Sequence, residues 1–215
     1  MSLGENGALV SRPCSCMSLR DARRAMERSG IPASTLDRYT FDLWETPNDW
    51  QKRVLSLGRE YADKCKTDKE FDRWFILSGR PGCGKTHLCT AVFRAIVEGG
   101  TKGMYLSWRD FSRQAKASAN DNEAFHRLIS APKKVPLLYI DDFWKGGVSP
   151  ADVRLAFELL NDRYAAGRKT ILSSEHTLEA VIRGDEAIGS RLFERSKGFY
   201  TDLSNAVNWR LRGGA

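Results

Sequence analysis

Residues 74–86 read WFILSGRPGCGKT, and the fold of the chain turns on this stretch. Trp74-Phe75-Ile76-Leu77 is a short apolar run of the kind that forms a strand buried on both faces. It breaks into Gly79-Arg80-Pro81-Gly82-Cys83-Gly84-Lys85-Thr86, which meets the pattern G-x-x-x-x-G-K-[ST] at every required position. Leu88, Val92 and Ile96 then recur at helical spacing, and Gly99-Gly100 closes the element. Strand, glycine-rich loop and helix stand in the order that holding a triphosphate requires. Glycines let successive backbone N–H groups turn toward phosphate oxygens with no Cβ in the way. The helix that begins near Lys85 adds its positive end. Lys85 is expected to meet the β and γ phosphates, and the Thr86 hydroxyl to ligate Mg2+. A turn that matches the pattern by chance would lack the flanking strand and helix.

Composition sets the outer bounds. A chain of 215 residues has room for one sizeable core and a small appendage. A hydrophobic fraction of 41% with 28% charged residues is ordinary for a soluble globular protein. No apolar run approaches the ~18 residues of a membrane span, and the start lacks the apolar segment of a signal peptide. The cysteines number 5, odd and scattered, which suits a reducing cytoplasm better than a disulfide framework. A net charge of +7 favours polyanionic partners.

Outward from the loop, residues 1–30 read as a short basic appendage, with Arg20, Arg23, Arg24 and Arg28 in a helix-permissive run. Cys14 and Cys16 supply two of the ligands a closed zinc site needs, so free thiols are expected there. Residues 31–72 form a lead-in segment and helix. IPASTLDRYTFDLWE reads as a loop carrying Leu36, Tyr39, Phe41, Leu43 and Trp44. Thr46-Pro47-Asn48-Asp49 reads as a helix start with Thr46 as N-cap, opening a helix with Val54, Leu57 and Tyr61 on one face to about Cys65.

Residues 73–204 form the core, and 205–215 a basic tail with Arg210 and Arg212. GMYLSW at 103–108 reads as a strand, followed by helices over 109–117 and 123–130. VPLLYIDD at 135–142 is an apolar strand ending in two acids, the form of a Walker B element. Asp141 is assigned to the metal and Asp142 to water activation, against the alternative of a solvated Asp-Asp turn. Ser149 caps a helix whose Val153, Phe157, Leu160 and Tyr164 are expected in the core. Thr170 to Glu175 reads as a strand ending in polar groups, which either touch the γ-phosphate and its water or cap the next helix. A basic helix over 187–197 and a strand over 198–203 complete the core. Cys83, beside a helix N-terminus, is expected to react with thiol reagents. His87 reads as a structural neighbour of the loop, and Trp144 as either a base-stacking or a core side chain.

GRPGCGKTHL, LLYIDDFW, TILSSE and GSRLFERSKG, in this order, resemble the ATPase domain of DnaC/DnaI-type replicative helicase loaders. These are AAA+ proteins, and the IstB-type transposition helper ATPases share the pattern. The resemblance covers about residues 29–204. It implies an α/β P-loop NTPase core with a five-stranded parallel sheet flanked by helices and little or no C-terminal lid. It also implies ATP and Mg2+ as cofactors, ATPase activity, head-to-tail homo-oligomers with ATP between subunits, and contact with single-stranded DNA and a replicative DNA helicase. A loop contact from His87 and a polar sensor at Ser174 or Glu175 follow from the same likeness, as does an arginine reaching a neighbour's ATP. Arg195 best matches that arginine, with Arg191 one turn earlier. Two positions depart from the pattern: Glu175 stands where the sensor is often Asn, and Asp142 where the catalytic carboxylate is commonly Glu. The alternatives are the transposition helper and a clamp that binds ATP without turnover. A GTPase would carry N-K-x-D and a small-molecule kinase an arginine-rich lid, and neither is evident.

Overall fold

The computed structural model describes residues 30–211 without a break, together with 2–3, 9–10, 23–24 and 26–27. Cys14, Cys16, Arg20, Arg28 and Arg212 lie outside the described residues. The short strands β1 (Ser2–Leu3) and β2 (Leu9–Val10) pair antiparallel. Of the 1–30 appendage, Met26 is buried in the core and Arg23 pairs with Asp37, so part of this segment packs against the folded body of the chain.

The lead-in is more structured than its sequence suggests. Within IPASTLDRYT a short helix, α1 (Ala33–Arg38), buries Leu36. Six residues give too little periodicity to announce a helix. Helix α2 (Asp49–Thr67) starts two residues later than expected and ends later too. Its N-cap is Asn48 rather than Thr46, because the Gln51 side chain turns back to accept from Asn48 N at 3.0 Å and closes a capping box. Tyr61 is fully buried on the inner face of α2, where its hydroxyl donates to the Arg73 carbonyl at 2.8 Å, ahead of β3 (Phe75–Gly79).

The rest of the core alternates. Helix α3 (Lys85–Glu98) and strand β4 (Gly103–Ser107) come first. Helices α4 (Trp108–Ala117) and α5 (Asn122–Lys134) lead into β5 (Leu137–Phe143). Next come α6 (Pro150–Ala165), β6 (Lys169–Ser174), α7 (Leu178–Gly184), α8 (Glu186–Arg195) and β7 (Tyr200–Leu203), with a 3-10 turn at Trp209–Leu211. Strands β3 to β7 form one parallel sheet of order β4-β5-β6-β3-β7. The expected five-stranded sheet is present.

Successive strand residues feed opposite layers, as period-2 geometry requires. Phe75, Leu77, Leu137 and Tyr139 pack with Leu88, Val92 and Phe93 on the α2–α3 side. Trp74, Ile76, Leu138 and Ile140 pack with Leu155, Leu159 and Leu192 on the other. The stripe assigned to the core of α6 is corrected. Leu160 is buried, whereas Phe157 is 38% exposed, and the buried face is Leu155, Ala156, Leu159 and Leu160. Arg163 also lies inside, fully buried with no carboxylate partner, and donates to the carbonyls of Pro132, Val135 and Lys169. It ties the end of α5 to the start of β6. No helix among the described residues is long and apolar enough to cross a membrane.

Candidate functional site

All core strands run the same way, so their C-terminal ends make one rim, and the glycine-rich loop leaves β3 there. Gly84, with φ 97, is the N-cap of α3, and this left-handed turn aims the helix N-terminus into the loop. The loop is also hemmed in from outside. A Cβ on Gly82 would overlap the Asn208 amide, and one on Gly84 would lie 2.6 Å from the Trp44 ring. The Trp209 amide donates to the Gly82 carbonyl at 3.0 Å. Tail and lead-in therefore both brace the loop.

Lys85 is buried, and its ammonium folds back onto the carbonyls of Gly79 at 2.7 Å and Arg80 at 3.0 Å. These are loop carbonyls that a bound anion would draw it away from. The next residue, Thr86, donates to Asp141 Oδ1 at 3.2 Å. Asp141 is 7% exposed and also accepts from Tyr139 at 2.8 Å, Tyr105 at 3.1 Å and the Ser173 hydroxyl. Burial beside this carboxylate pushes both tyrosine hydroxyls well above their ordinary range, which keeps them protonated donors. The carboxylate is thus held in one orientation by hydroxyls from four different elements.

Asp142 owes its direction to a break in register. Ile140 pairs with Leu172 but Phe143 with Ser174, so β5 carries one extra residue. Asp142 takes φ 55 and Trp144 φ 62, either side of buried Phe143. Non-glycine residues rarely adopt such angles. The Asp142 amide donates to Ser173 Oγ at 3.0 Å, and its carboxylate meets Lys145 Nζ at 3.1 Å. The same ammonium lies 3.1 Å from Glu175 Oε1. Burial pulls the Lys145 ammonium down, and the bonds to Asp142 and Glu175 more than reverse this, so it stays charged.

Pro81, Gly82, Gly84, Lys85, Thr86, His87, Asp142, Lys145 and Glu175 line one cavity of about 190 Å³, together with Tyr39. Drug-sized ligands fill roughly 300 Å³ or more, so this cavity suits phosphates rather than a whole nucleotide. A second cavity of about 350 Å³, bounded by Arg38, Trp44 and Trp209, shares Gly84 and His87 with it. His87 accordingly has a double role. Its Nε2 donates to the Thr40 carbonyl at 2.9 Å and its ring stacks on Tyr39 at 4.8 Å, while burial lowers its pKa and keeps it neutral.

The chain matches the profile described as "IstB-like ATP binding protein" over residues 10–197. It belongs to the IstB-like ATP-binding family. It is 30% identical over 220 residues to the phage-like element PBSX protein XkdC of Bacillus subtilis, covering 97% of this chain and 82% of that one. The replicative helicase loader DnaC of Escherichia coli K12 is 24% identical over 179 residues, 81% of this chain and 69% of its own length. A crystal structure of DnaI superposes with a TM-score of 0.66 at 18% identity, covering 83% of this chain and 94% of that one. The fold is that of AAA+ P-loop ATPases of the DnaC/DnaI type.

Some site expectations need correction. Cys83 is fully buried, at 0% exposure, behind the loop and the lead-in, so the expected ready reaction with thiol reagents lacks an accessible sulfur. Ser174 is buried and turned away from the cavity, donating to the Phe143 carbonyl at 2.9 Å and accepting from the His176 amide. It steadies the bulge, and Thr177 caps the next helix. Trp144 is buried against Phe143, which decides for core packing over base stacking.

Arg195 and Arg191 sit at the other rim. The Trp74 amide donates to the Arg195 carbonyl, and the Arg195 guanidinium pairs with Asp72 and donates to the Tyr164 carbonyl at 2.7 Å. Arg191 lies over Phe157 and Tyr164 and donates to Asn161 at 3.1 Å. The five residues of β3 separate this rim from the loop by roughly 16 Å. Neither arginine can serve its own loop.

The reading from sequence missed Lys145, Ser173, Tyr105 and Tyr139. Tyr139 stood two residues before Asp141, hence on the same strand face, and that spacing could have found it. Nothing local announced Lys145, whose place depends on the bulge.

Proposed function

We propose that this chain hydrolyses ATP in order to load or remodel a replicative helicase on single-stranded DNA, with ATP held at the interfaces of a head-to-tail homo-oligomer. The observation that carries the reading is one cavity in which Lys85, Thr86 and Asp142 converge, with Asp141 bound to the Thr86 hydroxyl. The helicase assignment draws on the DnaC-type relatives.

Each residue then has a task. The loop amides and the start of α3 hold the phosphates, and Lys85 exchanges its loop carbonyls for phosphate oxygens. Asp141 and the Thr86 hydroxyl would hold Mg2+, which supplies charge neutralisation across the phosphates. Among the described residues no group of 3 or more His, Cys, Asp or Glu side chains could hold a metal alone, which suits an ion that arrives with the nucleotide. Asp142 orients the attacking water and accepts its proton. The second cavity, with Trp44 and Trp209 on its walls, takes the nucleoside end. Arg195, seconded by Arg191, meets the phosphates of the adjoining subunit.

Phosphate release by the full chain, with and without single-stranded DNA and a replicative helicase, tests the proposal. ATP turnover stimulated by either partner and abolished by Lys85→Ala supports it. Tight ATP binding with no turnover under any of these conditions would mean a clamp. The family profile keeps the transposition helper as the second reading. Capture of a transposase rather than a helicase from the host would favour it.

A further inference from the structure

The cavity that holds Lys85 also holds a second lysine, to which the ATPase reading gives no task. Lys145 Nζ bridges Asp142 and Glu175 at 3.1 Å each, and these are the carboxylates lining the cavity. We propose that Lys145 is the group that recognises the terminal phosphate of a nucleoside triphosphate, with Glu175 as the residue that positions it. This rests on reading the cavity as a nucleotide site.

Charge gives the first reason. Glu175 is an anion at the end of β6, so it repels a phosphate and cannot donate to one. The ammonium it holds can. Lys145 carries three N–H donors, and the structure gives it two carboxylate acceptors, so one donor remains for a ligand. Its side chain is 36% exposed at the cavity wall, so a further phosphate contact requires no deep desolvation.

Backbone geometry gives the second. Asp142 and Trp144 both hold positive φ, and Gly146 and Gly147 come next at φ 92 and 97 with open space around them. Buried Phe143 and Trp144 anchor this turn in the core. The strain leaves the Asp142 and Lys145 side chains side by side on the cavity wall.

The ion pair also imposes an order of events. While the cavity lacks a terminal phosphate, Lys145 pins the Asp142 carboxylate in an ion pair at 3.1 Å. A terminal phosphate competes for the same ammonium and frees Asp142 for water. A diphosphate does neither.

Fluorescent analogues of ADP and of non-hydrolysable ATP, each with Mg2+, are titrated into the full chain and its variants. Lys145→Ala is expected to weaken triphosphate binding by roughly tenfold or more while leaving ADP within about twofold. Undiminished ADP binding also reports an intact fold. Lys145→Arg should keep part of the preference, and Glu175→Gln should lose part of it. Equal losses for both nucleotides, unchanged affinities, or faster phosphate release at unchanged affinity would overturn the assignment. Should Lys85→Ala abolish binding of both nucleotides while Lys145→Ala alters neither, this inference falls and the nucleotide site stands. A wild-type chain that binds neither nucleotide removes both.

Discussion

Lys85 and Asp142 line one cavity from different sides of the chemistry, and their variants should fail differently. Lys85 is committed to loop carbonyls and, on binding, to phosphate, so Lys85→Ala should weaken ATP binding and abolish turnover. Asp142 meets Lys145 through its carboxylate and the Ser173 hydroxyl through its amide, and neither contact involves the loop. Asp142→Asn should therefore still bind Mg-ATP yet turn it over at least ~100-fold more slowly. Fluorescent-nucleotide titration beside a phosphate-release assay checks the division, and equal loss of binding in both variants would refute it. Asp141 is different again. Its oxygens accept from Thr86, Tyr105, Tyr139 and Ser173, so its orientation is fixed by the fold itself.

At the scale of elements, two buried polar groups make opposite demands. Arg163 lies on α6 with only hydroxyl and carbonyl partners, so burial drags its pKa down to about 9. Replacing it with Met would leave the carbonyls of Pro132, Val135 and Lys169 without their donor. Arg163→Met should cost about 3 kcal/mol of stability in urea melts. A loss under about 0.5 kcal/mol, the range of ordinary surface changes, would show the tie between α5 and β6 to be dispensable. Cys65, on the inner face of α2, is pushed by burial from 9.0 up to about 12. The folded state keeps this proton where the unfolded chain has lost it. Its contribution is whole below pH 9 and drains away as pH rises to 12. Arg163 acts in the opposite sense over the same window, so the test is a comparison: Cys65→Ala should flatten the alkaline decline relative to the wild type, and parallel curves would contradict it.

These elements also show what the sequence made legible. The loop, the strand ending in Asp141 and Asp142, and the Ser149 cap obey local rules of spacing, and each stands where those rules place it. Helix α1 escaped notice because six residues carry no stripe. The face of α6 was misjudged because Phe157 shares helical spacing with Leu160, yet lies beneath Arg191 near the surface, whereas Val153 and Tyr164 are half-buried against the core. Lys145 was illegible because its position depends on an extra residue in β5 and on Glu175, just past the end of β6.

At the scale of the whole molecule, the loop and the arginines occupy opposite rims of one sheet. A single subunit thus has the proposed phosphate site at one end and the Arg191 and Arg195 guanidiniums at the other. A head-to-tail contact would join the two, and repeated it closes a ring or runs on as a spiral. Arg195 would leave Asp72 in doing so, whereas Arg191 would slide from Phe157 at the surface. The most direct measurement mixes two inactive variants. Arg195→Ala should bind ATP normally and lose hydrolysis by about 10³-fold, and Lys85→Ala should bind ATP weakly and not turn it over. Mixed, they should regain part of the wild-type rate, since some interfaces then pair an intact loop with an intact arginine. A mixture that stays inactive, while light scattering shows that mixed oligomers have formed, would contradict hydrolysis at subunit interfaces and leave Arg195 as the structural partner of Asp72.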